Sequence, residues 1–281
     1  MGDADKDTIV LYHASCWDGF GAAWAAWLKF GERAVYKAVQ YGQGLPALDW
    51  TGKTVYILDF AYSRAELEAI AAQASALLVI DHHATAREAL DNPAAGNFAA
   101  IFDGDHSGAA LTWAYFHPDT PMPLMLGYVE DRDLWRWQMP DSKAYNAALR
   151  VYPLEFALWC ELAERSAAEL ISEGQGVLRE QQRIIDSHVR HAVVQEFYGH
   201  QVPVTNASML YSEIGHALCD ANPDAPFAVA YFIIEATPEK SRQVVYTLRR
   251  SRGDFDLGAF AKEHGGGGHA AAASFSRPIE F

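Results

Sequence analysis

Three polar clusters interrupt apolar stretches in the first half of the chain. His13 follows the run Thr8–Tyr12, Asp59 ends Val55-Tyr56-Ile57-Leu58, and Asp81-His82-His83 ends Leu77-Leu78-Val79-Ile80. Asp18 lies shortly after His13, beside Gly19 and Gly21, glycines that let a turn stay tight. Carboxylates gathered in one cleft repel each other unless a divalent cation neutralises them, with the imidazoles serving as neutral nitrogen ligands. Two cations ~3.5–4 Å apart that share a carboxylate and a hydroxide form the arrangement used for phosphoryl hydrolysis. Oxygen and imidazole donors without a thiolate cluster favour Mn²⁺, with Mg²⁺ or Co²⁺ as alternatives, over a structural zinc. Taken singly, His13 reads as readily as a surface residue and Asp59 as a helix cap. The Asp81-His82-His83 triplet, closing an apolar run, is harder to explain without chemistry.

A second constellation lies near the C-terminus, where Gly265-Gly266-Gly267-Gly268-His269 precedes four alanines and Ser274. Consecutive glycines cost backbone entropy, so they point either to a loose loop or to backbone N–H groups turned toward an anion. The alanines that follow stand where a helix would start. Arg249 and Arg250, with Arg252, are the best local source of positive potential, either for a nucleotide phosphate or as a solvated turn. In Asp131-Arg132-Asp133-Leu134-Trp135-Arg136-Trp137, either Asp131 or Asp133 can supply a last ligand. The two tryptophans there read as core or as a stacking surface for a base.

Elements that position these groups are legible in the pattern. Short runs at Thr8–Tyr12, Val35–Val39, Thr54–Leu58 and Leu77–Ile80 have the length of buried strands and alternate with helical stretches at Gly19–Phe30 and Ser63–Ala76. Ser63 with Glu66 three residues later is a capping-box pattern. Such alternation predicts a parallel sheet, and it puts His13, Asp59 and Asp81 at one carboxyl edge, where open α/β folds bind ligands. Further helices are expected at Asp103–Phe116 and Met122–Asp131, followed by an uninterrupted helical stretch from Pro153 to His200. Strands at Val202–Thr205, Ala228–Ile234 and Gln243–Arg249, with helices near Ser212–Cys219 and Phe255–Glu263, form a second pattern. The expected fold class is α/β: a parallel-sheet catalytic domain over 1–152, a helical linker over 153–200, and a smaller α/β domain over 201–281.

The chain's 281 residues are 50% hydrophobic, enough for a sizeable core. A formal charge of -14 sets the molecule as a whole against long duplex nucleic acid, while a bound cation or a few arginines can still accept a small phosphorylated substrate. Cys16, Cys160 and Cys219 are too few and too far apart for a disulfide framework. The acidic first residues do not read as a signal peptide, and no long apolar run follows, so a cytoplasmic protein without membrane contact is expected. The oligomeric state is open, a homodimer being one option.

Taken together, His13 to Gly19, Asp59, Asp81-His82-His83, Asp131 and Gly265–His269 make the chain resemble the Asp-His-His (DHH) family of phosphoesterases. The glycine motif resembles that of the family's nucleotide-handling, oligoribonuclease-like branch. The resemblance implies one metal on His13 and Asp59 and another on Asp18, Asp59, His82 and Asp131, with Asp59 bridging. It also implies that His83 lies beside the substrate phosphate, that Asp81 supports the strand end carrying the ligands, and that His269 and the glycine amides receive a phosphate. Cys16 stands where the family commonly has an aspartate; it ligates as a thiolate, leaves the first site short of a carboxylate, or faces away. The implied function is a metal-dependent phosphodiesterase or exonuclease that cleaves short oligoribonucleotides or linear dinucleotides to mononucleotides by a metal-activated hydroxide. A phosphomonoesterase acting on a nucleoside bisphosphate, and a nucleotide-binding regulatory protein with a decayed metal site, are the alternatives.

Overall fold

The computed structural model describes residues 6–91, 96–237 and 241–279; most of the acidic N-terminal stretch read above lies outside them. The first part runs β1 (Thr8–His13), α1 (Trp17–Phe30), β2 (Ala34–Val39), β3 (Thr54–Leu58), α2 (Arg64–Ala71), β4 (Ala76–Asp81), α3 (Arg87–Leu90) and β5 (Phe98–Phe102). Helices α4 (Gly108–Phe116), α5 (Leu124–Asp133), α6 (Ser142–Leu149), α7 (Phe156–Glu164) and α8 (Ala167–His191) follow. The rest comprises β6 (Val193–Phe197), β7 (His200–Asn206), α9 (Tyr211–Ala221), β8 (Ala228–Ile234), β9 (Gln243–Arg249), α10 (Leu257–Glu263), β10 (Gly267–His269) and β11 (Ala272–Pro278). The architecture is α/β, as the sequence predicts.

The chain divides into two compact units at 178/179, inside α8. The expected boundaries differ from this. Residues 153–178 belong to the first unit, because α7 and the start of α8 bury Trp159, Leu162 and Leu170 in its core. The expected uninterrupted helix to His200 ends at His191, and Val193–Phe197 is a strand.

In the first unit the strands are all parallel, in the order β2-β1-β3-β4-β5. One face of the sheet packs Ile9, Leu11, Val55, Ile57, Leu77 and Val79 against Leu67 and Ile70 of α2. The other packs Val10, Leu58 and Ile80 against Ala22 and Ala26 of α1 and Phe116 of α4. Burial on both faces explains why these strands read as continuous apolar runs. The capping box of α2 forms as expected, with Ser63 accepting from the Glu66 N–H and the Glu66 carboxylate accepting from Ser63 N. β5, which the sequence reading lacks, extends the sheet beyond β4.

The second unit holds a mixed sheet ordered β10-β11-β9-β8-β7-β6, in which, among the described residues, the β7/β8 pairing is parallel and the others are antiparallel. Phe197, Val202, Phe227, Leu248, Leu257 and Phe275 form one core cluster. Ile185, Ile214, Leu218, Ala228 and Ala230 form another. Among the described residues, no helix is long and apolar enough to cross a membrane.

Candidate metal centre

In a parallel sheet ordered 2-1-3-4-5, the connections leave β1 and β3 on opposite sides, and the crevice at their carboxyl ends is where such folds bind ligands. Tyr12, Leu58 and Ile80 are in register across β1, β3 and β4, so the next residues, His13, Asp59 and Asp81, emerge at one level on that edge. His13 Nδ1 lies 3.4 Å from Asp59 Oδ2, and His82 Nε2 lies 3.1 Å from Asp59 Oδ1. His82 Nε2 also faces Asp18 Oδ2 at 3.6 Å and Asp133 Oδ2 at 3.5 Å.

The backbone is shaped to bring these groups together. Asp59 adopts a left-handed conformation with φ 56°, a cost of about 1–3 kcal/mol that only surrounding structure can sustain. Its own N–H donates to Ile80 O at 2.9 Å, which ties it to β4. Two glycines allow the close approach. A Cβ on Gly19 would sit 2.4 Å from His13 O, and one on Gly108 would sit 2.6 Å from Asp59 Cβ. Gly21, expected to serve the same turn, instead lets α1 pack on α4 and α5, where its Cβ would meet Ala109 and Leu126 at 3.0 and 3.1 Å.

Asp18 is held by the start of α4. Gly108 N donates to Asp18 Oδ2 at 2.6 Å and Ala109 N to Oδ1 at 3.0 Å, so the carboxylate occupies the positive end of a helix. Helix α4 starts here and not at Asp103, because Ser107 caps it by accepting from Ala110 N. The sequence reading missed Ser107 and Gly108, although a serine before an apolar stretch is a helix-start signal.

Three of the open assignments acquire geometry. Asp133 groups with Asp18 and His82 as a potential ligand. Asp131 Oδ1 accepts from Gln138 N at 2.7 Å, which spends that oxygen on the turn after α5. Trp135 and Trp137 are partly exposed and both left-handed, packed edge to face at 5.0 Å, and so are not core residues. Cys16 does not face away: its sulfur groups with His13 and Asp59 donor atoms lying within 4.8 Å of one another.

The electrostatics of the centre ask for a cation. Burial raises the Asp18 carboxyl well above its usual range, Asp59 and Asp133 push the same way, and His82 opposes them. Burial would also raise Asp59, but contacts from His13 and His82 override it and hold Asp59 well below the usual range. Burial works against a charge on His82, yet Asp59, Asp18 and Asp133 raise its pKa to about 10. Burial and the same three carboxylates push the Cys16 thiol up. Both Asp59 oxygens are buried and face the His13 and His82 rings, at 3.4 and 3.1 Å, a carboxylate among imidazoles that suits a shared cation. Donor types, burial and grouping therefore fit two divalent cations, one at His13, Cys16 and Asp59 and one at Asp18, His82 and Asp133.

Beside the centre, Asp81 Oδ1 accepts from the backbone N–H groups of His82 and His83 and lies 2.7 Å from His83 Nδ1. Burial lowers the pKa of His83, but Asp81 outweighs it and brings it to about 9. Asp81 thus orients His83 and the strand end that carries His82.

In the second unit, Gly267–His269 is a strand paired with β11, and the alanines form the turn and the return strand, not a helix. A Cβ on Gly266 would lie 2.0 Å from Ser274 O, and one on Gly268 would lie 2.4 Å from Ala272 O. Close strand pairing therefore accounts for these two glycines. Arg249 Nη2 donates to Ser212 Oγ at 2.6 Å, and Arg250 Nη1 donates to Gly253 O, so both guanidiniums have partners within the unit.

No family model matches the chain. It is 27% identical over 291 aligned residues to the uncharacterized protein R106 of Acanthamoeba polyphaga mimivirus, covering 97% of this chain and 68% of that one. Among solved structures, it superposes on PggH, a pGpG-specific phosphodiesterase from Vibrio cholerae, with a TM-score of 0.50 and 16% identity over 98% of this chain and 94% of the other. The fold is shared. It is the fold that the resemblance to the Asp-His-His phosphoesterases implies. RecJ from Thermus thermophilus, a longer chain, aligns at 13% identity with a TM-score of 0.43, over 97% of this chain and 47% of its own.

Proposed function

We propose that this chain is a divalent-cation-dependent phosphodiesterase that cleaves short oligoribonucleotides or linear dinucleotides to mononucleotides in the cytoplasm. The observation that carries the reading is Asp59, a fully buried carboxylate set between the His13 and His82 rings at the ligand-binding edge of the sheet. The fold shared with a phosphodiesterase specific for pGpG supports a short, linear substrate. So does the formal charge of -14, which disfavours a long polyanion.

His13, Cys16 and Asp59 would hold one cation, and Asp18, His82 and Asp133 the other, with Mn²⁺ preferred over Mg²⁺ or Co²⁺. Bound there, two divalent cations would polarise the phosphoryl group and lower the pKa of an attacking water. The protein's part is positional. Asp81 fixes the His83 ring and keeps a proton on Nδ1, so His83 presents its other edge toward the substrate as a donor. Gly108 and Ala109 lock Asp18 in place. In the second unit, His269 is the residue assigned to a substrate phosphate.

The test is incubation of purified protein with Mn²⁺ and labelled RNAs of two to five residues. Mononucleotides should appear, and a chelator should stop their release. Absence of turnover on every such substrate with Mn²⁺, Mg²⁺ and Co²⁺ would refute the proposal.

A further inference from the structure

A cavity of about 260 Å³ opens beside the metal centre, lined by Tyr41 to Gly44, by Phe60 to Ser63 and by Glu66. It lies entirely within the first unit, and the chemistry above makes no use of it. Its size is below the roughly 300–1,000 Å³ of sites for drug-sized ligands, and so suits one flat ring system.

Two features of its lining point to a ligand. Tyr62 is 4% exposed, and its hydroxyl is buried with no hydrogen-bond partner among the described residues. Native proteins rarely leave a buried hydroxyl unpaired, because the group has given up water for nothing. Burial, with Glu66 nearby, raises its pKa to about 12, so it remains a neutral donor. Tyr41, by contrast, is half exposed, a large aromatic face open to solvent.

The same aromatic residues join the cavity to the centre. The Tyr41 ring lies 5.4 Å from that of His13, 6.2 Å from that of His83 and 4.5 Å from that of Phe60. Phe60 lies 4.8 Å from Tyr62 and 6.1 Å from His13. One continuous aromatic wall therefore leads from the phosphoryl chemistry to the unpaired hydroxyl.

We infer that this cavity is a nucleobase subsite, in which Tyr41 stacks on the base of the nucleotide under attack and the Tyr62 hydroxyl bonds to a polar atom on the base edge. The inference deepens the phosphodiesterase reading and rests on it. Stacking on Tyr41 tolerates any base, since every base has a π-face. A bond to the Tyr62 hydroxyl adds the polar contact that fixes its orientation. Glu66, which accepts from Ser63 through Oε2, adds a carboxylate to the lining that favours base edges carrying N–H donors.

The test compares kcat/KM for a linear dinucleotide with that for its abasic analogue, which keeps the sugars and phosphates. Tyr62→Phe, which removes one oxygen and keeps the ring, should lower the ratio of the two by about threefold to tenfold, the range expected for one neutral hydrogen bond. Tyr41→Ala, at a half-exposed position, should lower it tenfold or more. A ratio unchanged in both variants overturns the subsite while leaving phosphodiesterase activity standing. If the wild-type protein cleaves neither substrate, the phosphodiesterase reading falls, and calorimetry with nucleoside monophosphates decides the subsite alone. Binding that Tyr62→Phe weakens several-fold sustains it; no binding, or equal affinity in wild type and variant, overturns it.

Discussion

Gly108→Ala tests whether the start of α4 positions the Asp59 carboxylate. The new Cβ would lie 2.6 Å from Asp59 Cβ, 2.8 Å from Oδ1 and 2.9 Å from Cγ. Non-bonded carbons rest about 3.5–4.0 Å apart, so either Asp59 or the helix must retreat by about 1 Å. Both are constrained: Asp59 is tied to Ile80 O, and the N–H of residue 108 itself holds Asp18. A displacement of about 1 Å at reacting groups costs on the order of 100-fold in rate. Overpacking costs about 1–3 kcal/mol, partly offset by alanine's helix preference of up to about 1 kcal/mol. The expected result is a fall of about 100-fold or more in Mn²⁺-dependent dinucleotide cleavage, with a thermal midpoint lowered by only a few degrees. Gly104→Ala is the control, because its Cβ would meet only His82 O, at an ordinary 3.8 Å. Activity of the Gly108 variant within threefold of wild type, with full metal content, would show that Asp59 does not depend on this contact.

Asp133→Asn should deplete bound metal after gel filtration, whereas Asp131→Asn, altering a group that accepts from Gln138 N, should retain it and lower stability instead; the reverse order in elemental analysis would restore Asp131 as ligand. His82→Ala should lose metal and turnover together, while His269→Ala should keep its metal and bind an uncleavable dinucleotide more weakly. Chelation should lower the thermal midpoint by roughly 5–10 °C relative to protein with metal at about 100 times its dissociation constant, since such occupancy is worth about 2.7 kcal/mol; an unchanged midpoint would mean that the buried carboxylates need no cation. Ser166→Ala removes the hydroxyl that caps α8 through Glu169 and should cost about 1 kcal/mol, or roughly 2–4 °C, leaving dinucleotide cleavage intact when followed by calorimetry and activity assay.

Where the central parallel strands stop was legible without any tertiary information. β1, β3 and β4 are buried on both faces, so each reads as an apolar run, and the first polar residue after it marks the carboxyl edge. His13, Asp59 and Asp81 were legible for that reason, as was the α2 capping box, a signal contained within four residues. β5 was not, because its sequence, Phe98-Ala99-Ala100-Ile101-Phe102, carries two alanines in a strand at the end of the sheet, beside β4. The choice between Asp131 and Asp133 needed the tertiary structure: residues two apart on a helix point to different sides, and only the docking of α5 says which side meets His82. Gly108 holds Asp18 across 90 residues of sequence, a contact that no local pattern encodes. The glycine run near the C-terminus announced an unusual backbone, but whether it would cradle an anion or admit a close strand depended on Ala272 and Ser274, whose carbonyl oxygens occupy the space where side chains at Gly268 and Gly266 would go.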